Sequence, residues 1–225
     1  LPPISQGCYN LSTMVLYSRP RANKLIAIFI KTYPKATIAL EYKTPFQLLV
    51  VTILSAQSTD KQVNKISPAL FSRYRTIKDL AQAKLPELEK YVHSTGFYRN
   101  KAKNIKGAAQ RILENFKGKV PKTMEELKTL PGVARKTANI VLSNGYGINV
   151  GIAVDTHVLR LSKRLGFSKH SDPVKVENDL MELFPKNLWG KINHLLVRHG
   201  RTVCDAKKPK CEICPVCKLC PSCNL

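Results

Sequence analysis

The segment Leu130-Pro131-Gly132-Val133-Ala134-Arg135-Lys136-Thr137-Ala138-Asn139 constrains the fold more than any other stretch of this chain. Upstream of it, Thr123-Met124-Glu125-Glu126 fits a capping box that opens a short helix running to Leu130. Proline cannot continue a helix and glycine supplies a tight turn, so Pro131-Gly132 breaks it. Arg135–Asn144 then resumes as a second helix. The turn's N–H groups and the positive end of the following helix converge on a single anion, and Gly132 allows close approach because it has no Cβ. Pro-Gly between two helices is also an ordinary connection. The basic pair Arg135 and Lys136 directly after it favours a phosphate.

Apolar residues recur at helical spacing in Ala22–Tyr33, Pro45–Gln57, Lys61–Tyr74 and Lys101–Phe116, and three further helices are expected at Thr156–Leu165, Val174–Leu183 and Leu188–Cys204. Beta-branched alternation is scarce outside the ambiguous stretch Ile148–Val154. The expected fold class is all-α.

Charge narrows the partner. Lys and Arg total 37 against 15 Asp and Glu, a formal net charge of +22 on 225 residues. Such an excess favours a polyanion. An anionic membrane surface attracts the same charge, but no stretch approaches the ~20 apolar residues of a span. Hydrophobic residues make up 44%, which suits a globular chain with a real core.

Two side chains beside the hairpin invite chemistry. A lysine amine attacks carbon only after losing its proton, which desolvation, a neighbouring Arg135 and a helix N-terminus all favour at Lys136. Asp155, in Val154-Asp155-Thr156-His157, is suited to accept a proton or to stabilise positive charge developing on a sugar ring. The simpler role for Asp155 or Thr156 is a helix N-cap, and the two roles are compatible.

Six of the seven cysteines lie between Cys204 and Cys223. Secreted disulfide scaffolds spread their cysteines along a short chain, so this clustering argues for a metal site in a reducing compartment. Cys204, Cys211, Cys214 and Cys220 are separated by six, two and five residues and suit a [4Fe–4S] cluster. Zinc competes, although zinc ribbons place ~15–20 residues between their two CxxC pairs, unlike the run here. Cys217 and Cys223 complicate the ligand set. The loop Lys207, Lys208, Pro209, Lys210 lies between the first two ligands and offers positive charge to phosphates.

At these residues the chain resembles the endonuclease III family of bifunctional DNA glycosylases in the helix-hairpin-helix superfamily. The resemblance runs from about Lys24 to Cys220. It rests on Leu54-Ser55-Ala56-Gln57-Ser58-Thr59-Asp60, Gly96-Phe97-Tyr98-Arg99-Asn100-Lys101-Ala102, the hairpin with Lys136, Val154-Asp155-Thr156-His157 and the four-cysteine spacing. It implies Lys136 as the Schiff-base nucleophile and Asp155 as the catalytic carboxylate. Gln57 would fill the gap left by a flipped nucleotide, and Phe97 stands where the family has a leucine wedge. Gly132, Ala134, Arg135, His157, Lys207, Lys208 and Lys210 would contact DNA; helix-end packing is an equal role for His157. Ala134 replaces the family's glycine and places a Cβ near the phosphate.

The resemblance further implies two helical lobes with the DNA-binding cleft between them. One is a six-helix lobe over residues 41–149. The other joins 14–40 to 150–225 and carries the [4Fe–4S] cluster, with 1–13 read as an extension or tag remnant. The implied activity is base excision repair: oxidised pyrimidines are removed from duplex DNA and the strand is cleaved 3′ to the abasic site by β-elimination. The implied partner is double-stranded DNA with a damaged base or abasic site, met by a monomer without a membrane. The location would be cytoplasmic and nucleoid-associated, or nuclear or organellar in a eukaryote. Two rivals remain: a monofunctional T/G or A/G mismatch glycosylase, and a non-catalytic zinc-containing DNA-binding module. Adenine-removing relatives carry a glutamate near Ile53 and a small hydroxyl residue in place of Lys136, and thymine-removing ones commonly carry tyrosine there, so lysine disfavours both.

Overall fold

The computed structural model describes residues 18–223; the segment read as an extension, with Cys8, lies outside the described residues. Eleven α-helices follow one another among the described residues. These are α1 Arg19–Thr32, α2 Pro45–Leu54, α3 Asp60–Arg73, α4 Ile77–Ala81, α5 Leu85–Val92 and α6 Tyr98–Phe116. They continue as α7 Met124–Lys128, α8 Arg135–Ile140, α9 Thr156–Arg164, α10 Pro173–Leu183 and α11 Trp189–Thr202. The α8 helix passes directly into a π-helical turn at Val141–Gly145. The ambiguous stretch Ile148–Val154 is an irregular connection that buries Ile152, Ala153 and Val154.

The chain divides into two compact units. One spans Ile38–Ala153; the other combines the chain before it with everything from Val154 onward. In the first, α6 is the long central element. Its residues Ala102, Ile105, Ala109 and Ile112 are buried at helical spacing against Leu88 of α5, Leu127 of α7 and their neighbours. In the second, Phe29 of α1 lies 4.5 Å from the His199 ring of α11. Phe167 meets Phe184 edge-on at 5.3 Å, and Trp189 Nε1 donates to the Phe184 carbonyl at 2.9 Å.

Helices α4 and α5 are absent from the sequence reading because five and eight residues are too few for a hydrophobic period to declare itself. Their signals are local. Thr76 and Asp79 form a complete reciprocal capping box at α4, while Pro86 sits in the first turn of α5. The Thr123 box at α7 is only half made. Thr123 Oγ1 accepts from the Glu126 amide at 3.3 Å, but the Glu126 carboxylate accepts from that hydroxyl rather than from the Thr123 amide. Helix α3 tolerates an interior Pro68, which withdraws an amide from the Asn64 carbonyl; Ser67 Oγ donates to that carbonyl at 3.4 Å.

Leu88 is fully buried between α5 and α6. Leu88→Ala is expected to lower the unfolding free energy by about 2–5 kcal/mol, read as a lower urea midpoint at unchanged m-value. A loss below about 1 kcal/mol would show that α5 is not part of the cooperative core.

Candidate active site

Helix α6 carries the hairpin. Gly132 has φ +77°, and a Cβ placed on it would fall 2.9 Å from Cβ of Asn104. Gly107, one turn further along α6, admits Pro131: a Cβ there would meet Pro131 Cγ at 3.2 Å. The Arg111 guanidinium, another turn on, donates to the Thr129 carbonyl. Asn104, Gly107 and Arg111 thus present one face of α6 to the turn at i, i+3 and i+7 spacing. The sequence reading missed all three, because a face on a distant helix has no signature at the hairpin itself.

Inside the turn, the Val133 amide donates to the Leu130 carbonyl at 3.1 Å. That amide closes the hairpin and is not free for a phosphate, which narrows the expected set of donors. Ala134 is the N-cap of α8 with φ −94° and ψ 174°, a conformation open to any residue. The backbone therefore needs glycine at Gly132 and not at Ala134. Arg135 is half-buried, while Lys136 is exposed in the first turn of α8. The desolvation expected around Lys136 is accordingly absent from the protein alone; a bound duplex would have to supply it.

Three non-glycine residues among those described have a left-handed backbone, and two of them are Gln57 (φ 51°) and Phe97 (φ 48°). Such conformations are uncommon outside Gly, Asn and Asp and persist where the surroundings enforce them. Gln57 lies exposed between α2 and α3. Phe97 precedes α6 and leaves 65% of its surface in solvent, an unfavourable place for a phenyl ring without a partner. The first turn of α3, just after Gln57, is joined to the 3-10 turn just before Phe97 by Gln62 Nε2 donating to Ser94 Oγ at 2.6 Å.

In the other unit, Asp155 caps α9: its Oδ1 accepts from the Val158 amide at 2.9 Å. The carboxylate is half-buried. His157, the second residue of α9, packs against α11, where a Cβ on Gly200 would come 2.9 Å from its Nδ1. Arg160 Nη2 lies 3.2 Å from the same nitrogen. These contacts are the helix-end packing that was one of the two expected roles of His157. Lys207, Lys208 and Lys210 are exposed. Their loop is turned by Asp205 Oδ1, which accepts from the amides of Lys207 and Lys208 at 3.0 and 3.5 Å.

The far end of α9 grips the cysteine segment. Arg160 Nη2 donates to the carbonyls of Gly200 and Cys204 at 3.2 and 3.0 Å. Arg164 Nη1 reaches Cys204 Sγ at 3.3 Å and the Asp205 carbonyl at 2.6 Å. From α1, Arg21 donates to the carbonyls of Leu165 and Leu219. Cys204, Cys211, Cys214 and Cys220 are free thiols that line one partly open cavity. Cys217 and Cys223, unassigned by the sequence, are joined in a disulfide. Burial pushes the Cys214 and Cys220 thiols up, and neighbouring thiols push the same way. Four thiolates at such a place require a cation to hold them. Among the described residues, no three His, Cys, Asp or Glu side chains are grouped to hold a single metal ion.

The class of protein is set by comparison with known families. Residues 50–186 match the model of the HhH-GPD superfamily base excision DNA repair proteins. The chain is 55% identical over 196 residues to endonuclease III of Synechocystis sp., covering 87% of this chain and 90% of that one. It is 45% identical to endonuclease III of Bacillus subtilis, over 82% and 84% of the two chains. A solved structure of a trapped endonuclease III–DNA covalent intermediate superposes with a TM-score of 0.87 at 42% identity, covering 91% of this chain and 96% of that one. A thermostable thymine-DNA glycosylase superposes at 0.80 with 21% identity, covering 90% and 96%, a likeness of fold alone. The chain belongs to the endonuclease III family of this superfamily and is a DNA glycosylase and AP lyase. No helix of the described residues is long and apolar enough to cross a membrane.

Gly132→Ala is expected to destabilise the fold by at least about 1 kcal/mol, because it combines a left-handed φ with a clash on Asn104. It should also weaken duplex binding. Ala134→Gly should change thermal stability by less than about 0.5 kcal/mol, since Gly is acceptable at an N-cap. Equal effects in a melting and filter-binding comparison would contradict the assignment of the strained position to Gly132.

Proposed function

We propose that the protein removes oxidised pyrimidines from double-stranded DNA and cleaves the strand at the resulting abasic site, with Lys136 as nucleophile and Asp155 as its partner carboxylate. The observation that carries this reading is the exposed lysine in the first turn of α8, immediately after a glycine hairpin held on α6. The solved relative trapped as a covalent intermediate with DNA supports it.

A base within the stack is out of reach, so the nucleotide rotates out at a cost of about a few kcal/mol, less when the base is damaged. Gln57 and Phe97 would occupy the vacated space, a reading supported by their exposed, left-handed positions. The hairpin around Gly132, with Ala134 and Arg135, holds a flanking phosphate, and the basic loop Lys207, Lys208, Lys210 adds further positive charge. The Lys136 amine, dehydrated by the duplex, forms a bond to C1′ as the C1′–base bond breaks and the base leaves with a proton. The C1′–O4′ bond then breaks as O4′ takes a proton, opening the sugar to an iminium that acidifies C2′; loss of a C2′ proton expels the 3′ oxygen with its phosphate, and water later frees the lysine. Asp155 steadies the positive charge at C1′ and accepts or returns protons.

Cys204, Cys211, Cys214 and Cys220 are assigned to a [4Fe–4S] cluster. The free state of all four thiols around one cavity supports this reading, and their spacing differs from that of a zinc ribbon. When bound, the cluster ties α9, the basic loop and the C-terminal turns together without entering the reaction. The protein is proposed to act as a monomer in a reducing compartment.

Borohydride reduction during reaction with abasic duplex tests the central step. The native protein should be trapped covalently, whereas Lys136→Gln should give no adduct and retain duplex affinity within about threefold, because the phosphate contacts that dominate binding persist. Parallel loss of trapping and binding would reduce Lys136 to a binding or structural residue. Asp155→Asn should slow base release more than it weakens binding; unchanged turnover would leave Asp155 as a helix cap only.

For the metal site, Cys220→Ser should lose visible absorbance and bound iron and sulfide together, while Cys217→Ser should keep both. Bound zinc in place of iron would overturn the cluster assignment.

A further inference from the structure

Lys101 lies in the first turn of α6 with 4% of its surface exposed, although lysine is almost never buried without a partner. Its Nζ donates to the Thr95 carbonyl at 2.7 Å, and its own amide donates to the Phe97 carbonyl at 3.1 Å. One residue therefore holds the chain on both sides of Gly96-Phe97. Gly96 has φ +70° and Phe97 φ +48°, so two successive residues have positive φ between those two bonds, Phe97 being in the left-handed helical region. The turn before them is closed by Thr95 Oγ1 donating to the Val92 carbonyl at 2.7 Å and by the Gly96 amide reaching His93.

Packing alone does not explain a cation here. An apolar side chain of similar length would fill the same space without the penalty of burying an ammonium, and burial already pushes the Lys101 ammonium below its usual value. What the ammonium adds is a charge-assisted bond to a specific carbonyl, one residue before the strained pair.

We propose that Lys101 is a positioning residue for base extrusion, whose buried ammonium locks the Thr95–Phe97 turn so that the Phe97 ring stands ready to enter the duplex. The inference rests on the proposed wedge role of Phe97. Without the bond, residues 93–98 would sample right-handed conformations and the ring would have to be ordered during each encounter. Lys101 acts on the extrusion step and not on the bond changes at C1′.

The test is a double-mutant cycle in single-turnover base release from duplex carrying one oxidised pyrimidine, using Lys101→Met, Phe97→Ala and the double variant. Lys101→Met should slow release by roughly 10- to 100-fold, the range seen for small misplacements of a positioned group. In the Phe97→Ala background the same change should add no further slowing, while its effect on the melting temperature should be the same in both backgrounds. Hydrogen exchange in Lys101→Met should rise at residues 93–98 and not across α6 as a whole. Equal slowing in both backgrounds, or no slowing in a folded Lys101→Met protein, would overturn the proposal. An unimpaired Phe97→Ala enzyme would instead remove the wedge reading beneath it. Lys101→Gln, which keeps a donor on a shorter side chain, serves if Lys101→Met does not fold and should show a smaller loss with the same dependence on Phe97. Failure of both variants to fold would assign Lys101 to the core alone.

Discussion

The close approach of Gly132 to Asn104 is the contact on which the first unit's chemistry depends. A hairpin that offers backbone amides must be rigid, yet a six-residue connection, 129–134, between two short helices has little cohesion of its own. Rigidity comes from α6, which presents Asn104, a Cβ-free Gly107 and Arg111 along one face. The same helix begins at the Phe97 turn. The Phe97 turn and the hairpin are therefore held by one helix, the first at its start and the second along its middle turns.

Helix α9 plays the corresponding part in the second unit. Its N-terminus is capped by Asp155, so the carboxylate's orientation is held by the helix it opens. Its last turns extend Arg160 and Arg164 onto the chain around Cys204. Arg164 also contacts the Cys204 sulfur directly. A change at the cysteine cavity is thereby linked to the helix that carries Asp155. The basic loop between Cys204 and Cys211 is short and anchored at both ends, so the arrangement of these thiols and the presentation of its lysines are parts of one local fold.

The sequence made much of this legible. Long amphipathic helices such as α6 and α11 announced themselves by period, and Pro131-Gly132 announced the break, because both signals are local. The resemblance to endonuclease III came from short segments in a set order, and it supplied the enzyme class that comparison with relatives confirmed. Helices α4 and α5 stayed hidden because their caps, not their periodicity, define them. Arg21, Arg160 and Arg164 stayed hidden because a surface arginine and one that binds two distant carbonyls look alike until the chain is folded.

What the sequence determined by itself is helical class, a glycine turn followed by a lysine, and four thiols at a fixed spacing; each is a property of neighbours along the chain. Tertiary structure decided which of these are constrained and which are free. It put the strain at Gly132 and not at Ala134, gave Gln57 and Phe97 their left-handed backbones, paired Cys217 with Cys223, and left Lys136 exposed. The physical reason is that backbone strain, thiol pairing and desolvation arise from atoms far apart in the chain and close in space.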